Sequence, residues 1–279
     1  MGEMTAGARR AWPLYLFLAG LSLPIFVMYA WLLIASFSGA THGLRPVGGF
    51  TLAHWRFLWE PVGRNWPSIW AITVNSLVLA LAVTAALLAV STTAGYALSR
   101  LNFPGRKSLL FGAIILHSFP AITLLIALFL VLRALRLYDN LGGVVLVKMA
   151  LELPFAVWLI KGFFDNISWD MEMAAMVDGC SRLRAWLRVM LPQVKPGLGA
   201  LAIFGFLSGW NEFILPFIFL PSSNNHTLAV VVHGLGTGTR FVDYGLLTAL
   251  SVFYMIPVLI FFLLTQRYLL SIYTGGVKA

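Results

Sequence analysis

From Asn65 to Ser99 the chain carries no Asp, Glu, Lys or Arg. Such a stretch has one stable home, because a helix needs about 20 apolar residues to cross a bilayer and satisfies its backbone groups internally while doing so. Further charge-free stretches lie between Arg10 and Arg45, between Lys107 and Arg133, and between Asp243 and Arg267. Two more apolar segments, interrupted by isolated polar residues, follow Leu141 and Pro196. The pattern predicts an all-α membrane protein with six transmembrane helices, at about 14–37, 69–98, 108–132, 141–163, 197–220 and 244–266, forming a single domain over 1–279. The run after Arg9 and Arg10 is too long for a secretory signal and lacks a clear cleavage site, so it is expected to stay as the first span.

Composition agrees: 60% of the 279 residues are hydrophobic and only 10% charged, against about a quarter charged in soluble domains. The net charge of +9 does not point to nucleic acid, since the basic residues sit in short segments between apolar runs rather than on one face. Most of them, including Arg100, Arg106, Lys107, Arg182, Arg184 and Arg188, fall in segments that share a side with the N-terminus. The positive-inside rule then places both termini in the cytoplasm. Two outer segments, Ser38 to Pro67 and Pro221 to Asp243, are long enough to contribute structure, and Trp55, Trp59, Trp66 and Trp70 suit the outer interface. The single cysteine, Cys180, excludes an intrachain disulfide, and His117 alone does not make a metal site.

One stretch breaks the apolar pattern. "MEMAAMVDGCSRLRAWLRVMLP", Met171 to Pro192, lies between the fourth and fifth spans, on the cytoplasmic side. Asp170 and Glu172 suit a helix N-terminus, Gly179 can end that helix, and Ser181 can cap a second one, Arg182 to Leu191, which Pro192 closes. The expected unit, about 168–192, is a helix, a tight turn and a helix. The small Ala174 and Ala175 permit close approach of another surface, and the methionines offer adaptable contact. Physics alone leaves open a protein partner or an amphipathic helix lying on the inner leaflet.

The segment resembles the EAA loop of ATP-binding-cassette importer permeases, whose pattern is Glu-Ala-Ala, three residues, Gly, nine residues, Ile, one residue, Leu-Pro. Ala174, Ala175, Gly179, Leu191 and Pro192 stand at those spacings, with Val189 for Ile and Met173 for Glu. "NSLVLA" from Asn75, "LPFAVWLIKGFF", "VDGCS", "WNEFILP" and the tail "QRYLLSIYTGGVKA" are similar, in order, to segments of the maltose and glycerol-3-phosphate type of carbohydrate importer, in particular to the shorter, six-helix permease of each pair. The resemblance implies a multi-pass protein of a bacterial or archaeal cell membrane, working by alternating access. It implies a heterodimer with a second, related permease, two copies of an ATPase subunit and an extracytoplasmic solute-binding protein. ATP and Mg would be bound by the ATPase, and this chain would carry no cofactor. It further implies that Asp170, Glu172, Ala174, Ala175, Asp178, Gly179, Arg182, Leu191 and Pro192 form the ATPase-coupling segment. The cytoplasmic tail, 267–279, with Tyr273, Gly275, Gly276 and Lys278, is expected to make a second contact with the ATPase pair.

Polar groups inside the membrane are costly and mark pathways or helix contacts. Asn75, Trp210, Asn211 and Glu212 are candidates for a substrate pathway, since a sugar needs amides and carboxylates beside an aromatic face; the alternative is that Asn211 and Glu212 bond to neighbouring helices. Lys148 and Glu152, spaced i, i+4, can pair with each other, and only Lys148 is a candidate for meeting a phosphate. Pro120 and Pro257 are expected to kink the third and sixth spans. No Gly-x-x-x-x-Gly-Lys-Ser/Thr loop occurs, which excludes a P-loop ATPase in this chain, and no His-Glu-x-x-His or Gly-x-Ser-x-Gly points to a membrane enzyme. A self-contained ion-coupled secondary transporter would want an internal repeat and mid-membrane acids, for which Glu152 and Glu212 are the available residues.

Overall fold

The computed structural model describes residues 2–42, 45–63, 66–237 and 243–274, with side chains described over 12–39, 45–63, 66–237 and 243–266. In chain order the elements are α1 (Gly2–Ser36), the strands β1 (Ser38–His42) and β2 (Arg45–Phe50), α2 (Ile69–Arg100), α3 (Arg106–His117), α4 (Leu125–Ala134) and α5 (Leu141–Asp165). Then come α6 (Trp169–Val177), α7 (Arg182–Ala185), a π-turn (Trp186–Met190), α8 (Leu191–Gln193), α9 (Lys195–Trp210), α10 (Ile214–Phe219), α11 (Leu228–Gly236) and α12 (Tyr244–Thr274).

Among the described residues four helices are long and apolar enough to cross a membrane, Trp12–Ser36, Ile69–Arg100, Leu141–Asp165 and Tyr244–Gln266, and two bent pairs raise the number to as many as six. The third predicted span is more than kinked. α3 stops at His117, and the chain turns by 92° before resuming at Ala121. Pro120 has no N–H to donate and pushes Phe119 out of the helical region, so two ladder positions fail together. The fifth predicted span, 197–220, is likewise divided: α9 ends at Trp210 and α10 begins at Ile214. Pro257, by contrast, lies inside the unbroken α12.

The chain divides into two compact units, residues 1–60 with 234–256 and residues 61–233 with 257–279. In the first, β1 and β2 pair antiparallel, with Ala40 opposite Val47 and His42 opposite Arg45, so the expected all-α architecture acquires a small hairpin. Phe37 stacks on Phe50 and Trp55 at 5.5 and 5.3 Å between centroids, and Trp55 donates its indole N–H to the Ser36 carbonyl at 3.2 Å. Trp55 is therefore a packing residue of the hairpin, while Trp59 is exposed.

In the second unit α2 is central, packing on α5 and α9. Small residues let the backbones approach: a Cβ at Gly95 would sit 3.1 Å from the Lys161 nitrogen, and one at Gly209 only 2.8 Å from the Ala80 Cα. Gly205 and Gly209 of α9 thus lie against Thr84 and Ala80 of α2, a glycine pair four residues apart meeting a small pair four residues apart. The buried core behind this contact includes Leu79, Val83, Ile160, Phe164, Met190 and Leu201.

Candidate coupling site and intramembrane pathway

The polar stretch folds as its local chemistry dictates. Ser168 caps α6 by accepting from the Asp170 N–H at 3.2 Å. At the other end Gly179, with φ +87°, lets the Cys180 N–H reach the Ala175 carbonyl at 3.0 Å and its own N–H reach that of Met176 at 3.1 Å. This pair of bonds is a Schellman closure, which satisfies carbonyls that would otherwise end the helix unpaired. Ser181 caps α7 by accepting from the Arg184 N–H at 3.4 Å. Pro192 does not close the second helix. The Leu191 N–H bonds five residues back to Trp186, and this π-turn absorbs the donor that Pro192 lacks, so the chain stays helical to Gln193 before bending 74° into α9.

The two faces of α6 have different destinations. Asp170, Met173, Ala174 and Asp178 are exposed, as are Gly179 and Arg182 beyond it; Ala175 is buried, and Leu191 and Pro192 are half-buried. Glu172 turns inward and is 1% exposed. Its Oε1 accepts from the Tyr96 hydroxyl at 2.6 Å, and its Oε2 lies 3.3 Å from the Arg100 Nε. Arg100 also donates to the carbonyls of Phe164 at 3.0 Å and Ile167 at 2.6 Å, and its guanidinium lies 4.9 Å from the Trp169 ring centre. Beside it Ser99 donates to Asp165 at 2.7 Å. One arginine at the end of α2 therefore ties the end of α5 to the start of α6. This corrects the expectation for Glu172, whose carboxylate is spent inside the chain and is closed to a partner surface. Arg100 and Tyr96 were not singled out in the sequence; the available signal was an arginine ending a long charge-free run four residues after a tyrosine.

Within the membrane segments, Glu212 is the one member of the predicted pathway set that lines the large cavity of about 660 Å³. Trp210 is 1% exposed and stacks on Phe206, so its ring serves packing. Asn75 donates to the carbonyls of Asn224 at 2.7 Å and His226 at 3.1 Å, a tie between α2 and the segment before α11. Asn211 caps the end of α9 and stands outside the cavity wall. The wall instead brings in His117, Lys148 and Glu152. The Lys148 ammonium lies 2.7 Å from Glu212 and 3.0 Å from Glu152. Ser208 donates to Glu152 at 2.8 Å, and the Leu215 N–H to Glu212 at 3.1 Å. The last bond supports the division of the fifth span: α9 ends at Trp210 with Asn211 as its cap, and the Glu212 carboxylate satisfies an N–H in the first turn of α10. His117 points its Nδ1 at the Leu151 carbonyl, 2.7 Å away.

A further knot ties the segment after α10. Asp139, in the left-handed region with φ +57°, accepts from the Ser222 N–H at 3.2 Å, the Ser222 hydroxyl and the Asn225 amide at 3.1 Å. Burial pushes its carboxyl up, but these donors more than offset that and hold it below the ordinary carboxylate range. Burial pushes the neighbouring His226 imidazole down, with the Asp139 charge opposing.

Comparison with known proteins places this geometry. The family described as "Binding-protein-dependent transport system inner membrane component" matches residues 89–270, a range that includes the Arg100 end of α2, the whole cavity wall and the α6–α8 segment. The chain belongs to that family. The permease is 32% identical over 271 residues to the inner membrane ABC transporter permease protein YcjP of Escherichia coli K12, covering 95% of this chain and 94% of that one. It is 30% identical over 271 residues to the maltodextrin transport system permease protein MdxG of Bacillus subtilis, covering 95% of each. Its fold matches a chain from the crystal structure of a bacterial ABC transporter involved in the import of the acidic polysaccharide alginate, with TM-score 0.75, 22% identity and 95% and 97% coverage. The permease is thus the membrane component of an ABC importer, and in this family the ATPase is a separate subunit. Of the expected tail contacts, Gly275, Gly276 and Lys278 lie outside the described residues, as does the side chain of Tyr273.

Proposed function

We propose that the permease carries a sugar or sugar-like solute into the cell by alternating access, as the shorter member of a heterodimer with a second permease. Its two ATPase subunits would bind ATP and Mg, and an extracytoplasmic binding protein would deliver the solute. Relatives named for maltodextrin, trehalose and diacetylchitobiose uptake support the carbohydrate reading. Both termini lie in the cytoplasm in this reading, and the two bent helix pairs complete a set of six spans.

The observation that carries the proposal is the asymmetry of α6. Its inner face is anchored to α2 by a buried ion pair, and through Arg100 to the Phe164 carbonyl of α5, while Met171, Met173 and Val177, with Leu183 and Leu187 of the helical segment that follows, leave apolar surface open beside Asp170, Asp178 and Arg182. A rigid element with an unfilled outer face can transmit a force, provided that the partner binds the two conformations with different free energy. We assign that face, with Asp170, Ala174, Asp178, Gly179 and Arg182, to the ATPase; Ala175, Leu191 and Pro192 support it from within, and the tail makes the second contact.

The test is the reconstituted complex with Gly179→Asp. ATPase stimulation by binding protein and sugar is expected to fall at least tenfold while the subunits still co-purify; unchanged stimulation would overturn the coupling assignment. ATP-independent uptake by this chain alone in liposomes would replace it with an ion-coupled transporter.

A further inference from the structure

The cavity lined by His117, Lys148, Glu152 and Glu212 holds one ammonium between two carboxylates, at 3.0 and 2.7 Å. The formal sum is one negative charge. Among the described residues lining the cavity Lys148 is the only lysine or arginine, and its charge is committed twice over. Its side chain is 13% exposed, so little of the ammonium is left to meet a solute. Glu152 lies at the boundary with a smaller void of about 130 Å³ shared with Ser208, and apart from Lys148, Glu212 and His117, whose Nδ1 is engaged by the Leu151 carbonyl, the cavity wall is apolar. Opposite charges held in apolar surroundings act at longer range than in water, so the uncompensated charge sets the sign of the potential across the cavity.

We infer that this cavity is an anion-rejecting filter, admitting an uncharged or amine-bearing saccharide and turning back carboxylated, sulfonated or phosphorylated ones, with Glu152 and Glu212 as its specificity-determining residues. The inference rests on the importer reading. A phosphate-bearing solute would need an unpaired cation, and the pairing of Lys148 removes the one candidate. The fold does not decide the matter, since a similar fold serves in an importer of an acidic polysaccharide; the side chains of this wall decide it. Ser208 and the Leu215 N–H hold the two carboxylates in place, and Glu152, with its side chain 27% exposed, is more open than Lys148 at 13%.

The potential can be read directly with charged thiol reagents. Cys180 is the sole cysteine of the chain. In a Cys180→Ser background assembled with cysteine-free partner subunits, Ile122→Cys places one thiol on the cavity wall, at a position 61% exposed where the change removes no buried contact. The probes are a cationic methanethiosulfonate bearing trimethylammonium and an anionic one bearing sulfonate. Their rate ratio, normalised to that of a free thiol in the same buffer, is expected to favour the cation by roughly tenfold. Glu152→Gln or Glu212→Gln should each bring it down severalfold, and Lys148→Gln should raise it. A normalised ratio near one overturns the inference. So does a cation preference unmoved by both glutamate substitutions, which would place the field in the partner permease. ATP-driven uptake of trehalose and maltose by the complex with the unsubstituted chain is measured in parallel: if it is present while the ratio is flat, the filter alone falls, and if both sugars are refused, the carbohydrate reading falls with it.

Discussion

At the scale of single residues the decisive group is Glu172. Its carboxylate, 1% exposed, compensates an arginine that is itself buried, so removing it leaves the Arg100 charge stranded in a poorly solvated site. Breaking a buried pair from one side costs about 3–5 kcal/mol. We expect Glu172→Ala to lower thermal stability by that order and to raise hydrogen exchange in α6 before the spans respond; an exchange pattern like that of the wild type would show that Arg100 does not hold α6. Met173 offers the opposite case. It is 37% exposed, and Met173→Glu, which restores the acidic residue of the EAA pattern, should change stability by no more than about 0.5 kcal/mol. Thermal unfolding of the two variants side by side checks both. The sequence carried the spacing of the motif but not the sense in which each acid points. A rotation of one residue on a helix is about 100°, and which way it turns is settled by an arginine 72 positions earlier.

At the scale of elements, long apolar helices were legible because four of them need only length and hydropathy. The broken ones were less so. "FILPFIFL" continues the apolar run past Asn211 and Glu212, and nothing in a run of apolar residues says that a carboxylate will reach forward to an N–H in the first turn of the next helix. Backbone approach was also hidden, although "GFLSG" spells the spacing. Gly209→Val should cost about 2–3 kcal/mol, because the added carbons must enter the space of the Ala80 backbone; a melting temperature equal to the parent's would deny that α2 and α9 touch there. The knot around Asp139 makes a pH prediction. Its folded-state carboxyl is lowered, so its contribution is present above the ordinary Asp range, near 4, and is lost as pH falls through the lowered value. His226 is lowered too, so acidification below about 6.5 already favours the open form, which binds a proton more readily. Amide protection at Ser222 should be greatest at neutral pH and decline in two stages on acidification, and Asp139→Ala should abolish the second.

At the scale of the whole molecule, the membrane class was legible from physics alone, whereas the family was legible from the spacing of a few residues in one polar stretch, a small pair followed by a left-handed glycine, which physics by itself leaves open between a protein partner and a lipid surface. The polar residues of the spans were harder to place. Polar residues in membrane segments advertise cost without saying whom they face, so Trp210 and Asn75 served packing while Lys148 and Glu152 joined Glu212 at the cavity.

The contact of Gly205 and Gly209 with Thr84 and Ala80 has a mechanical meaning. Where two helices touch through their main chains there are no long side chains to shear, and sliding by one residue would drive Cβ atoms into backbone. α2 and α9 then behave as one welded strut, and we expect hinges of the transport cycle at the two sharp bends, around Pro120 and between Gln193 and Lys195. Spin labels on those two helices should keep a fixed separation through nucleotide binding and hydrolysis, while labels straddling either bend change theirs.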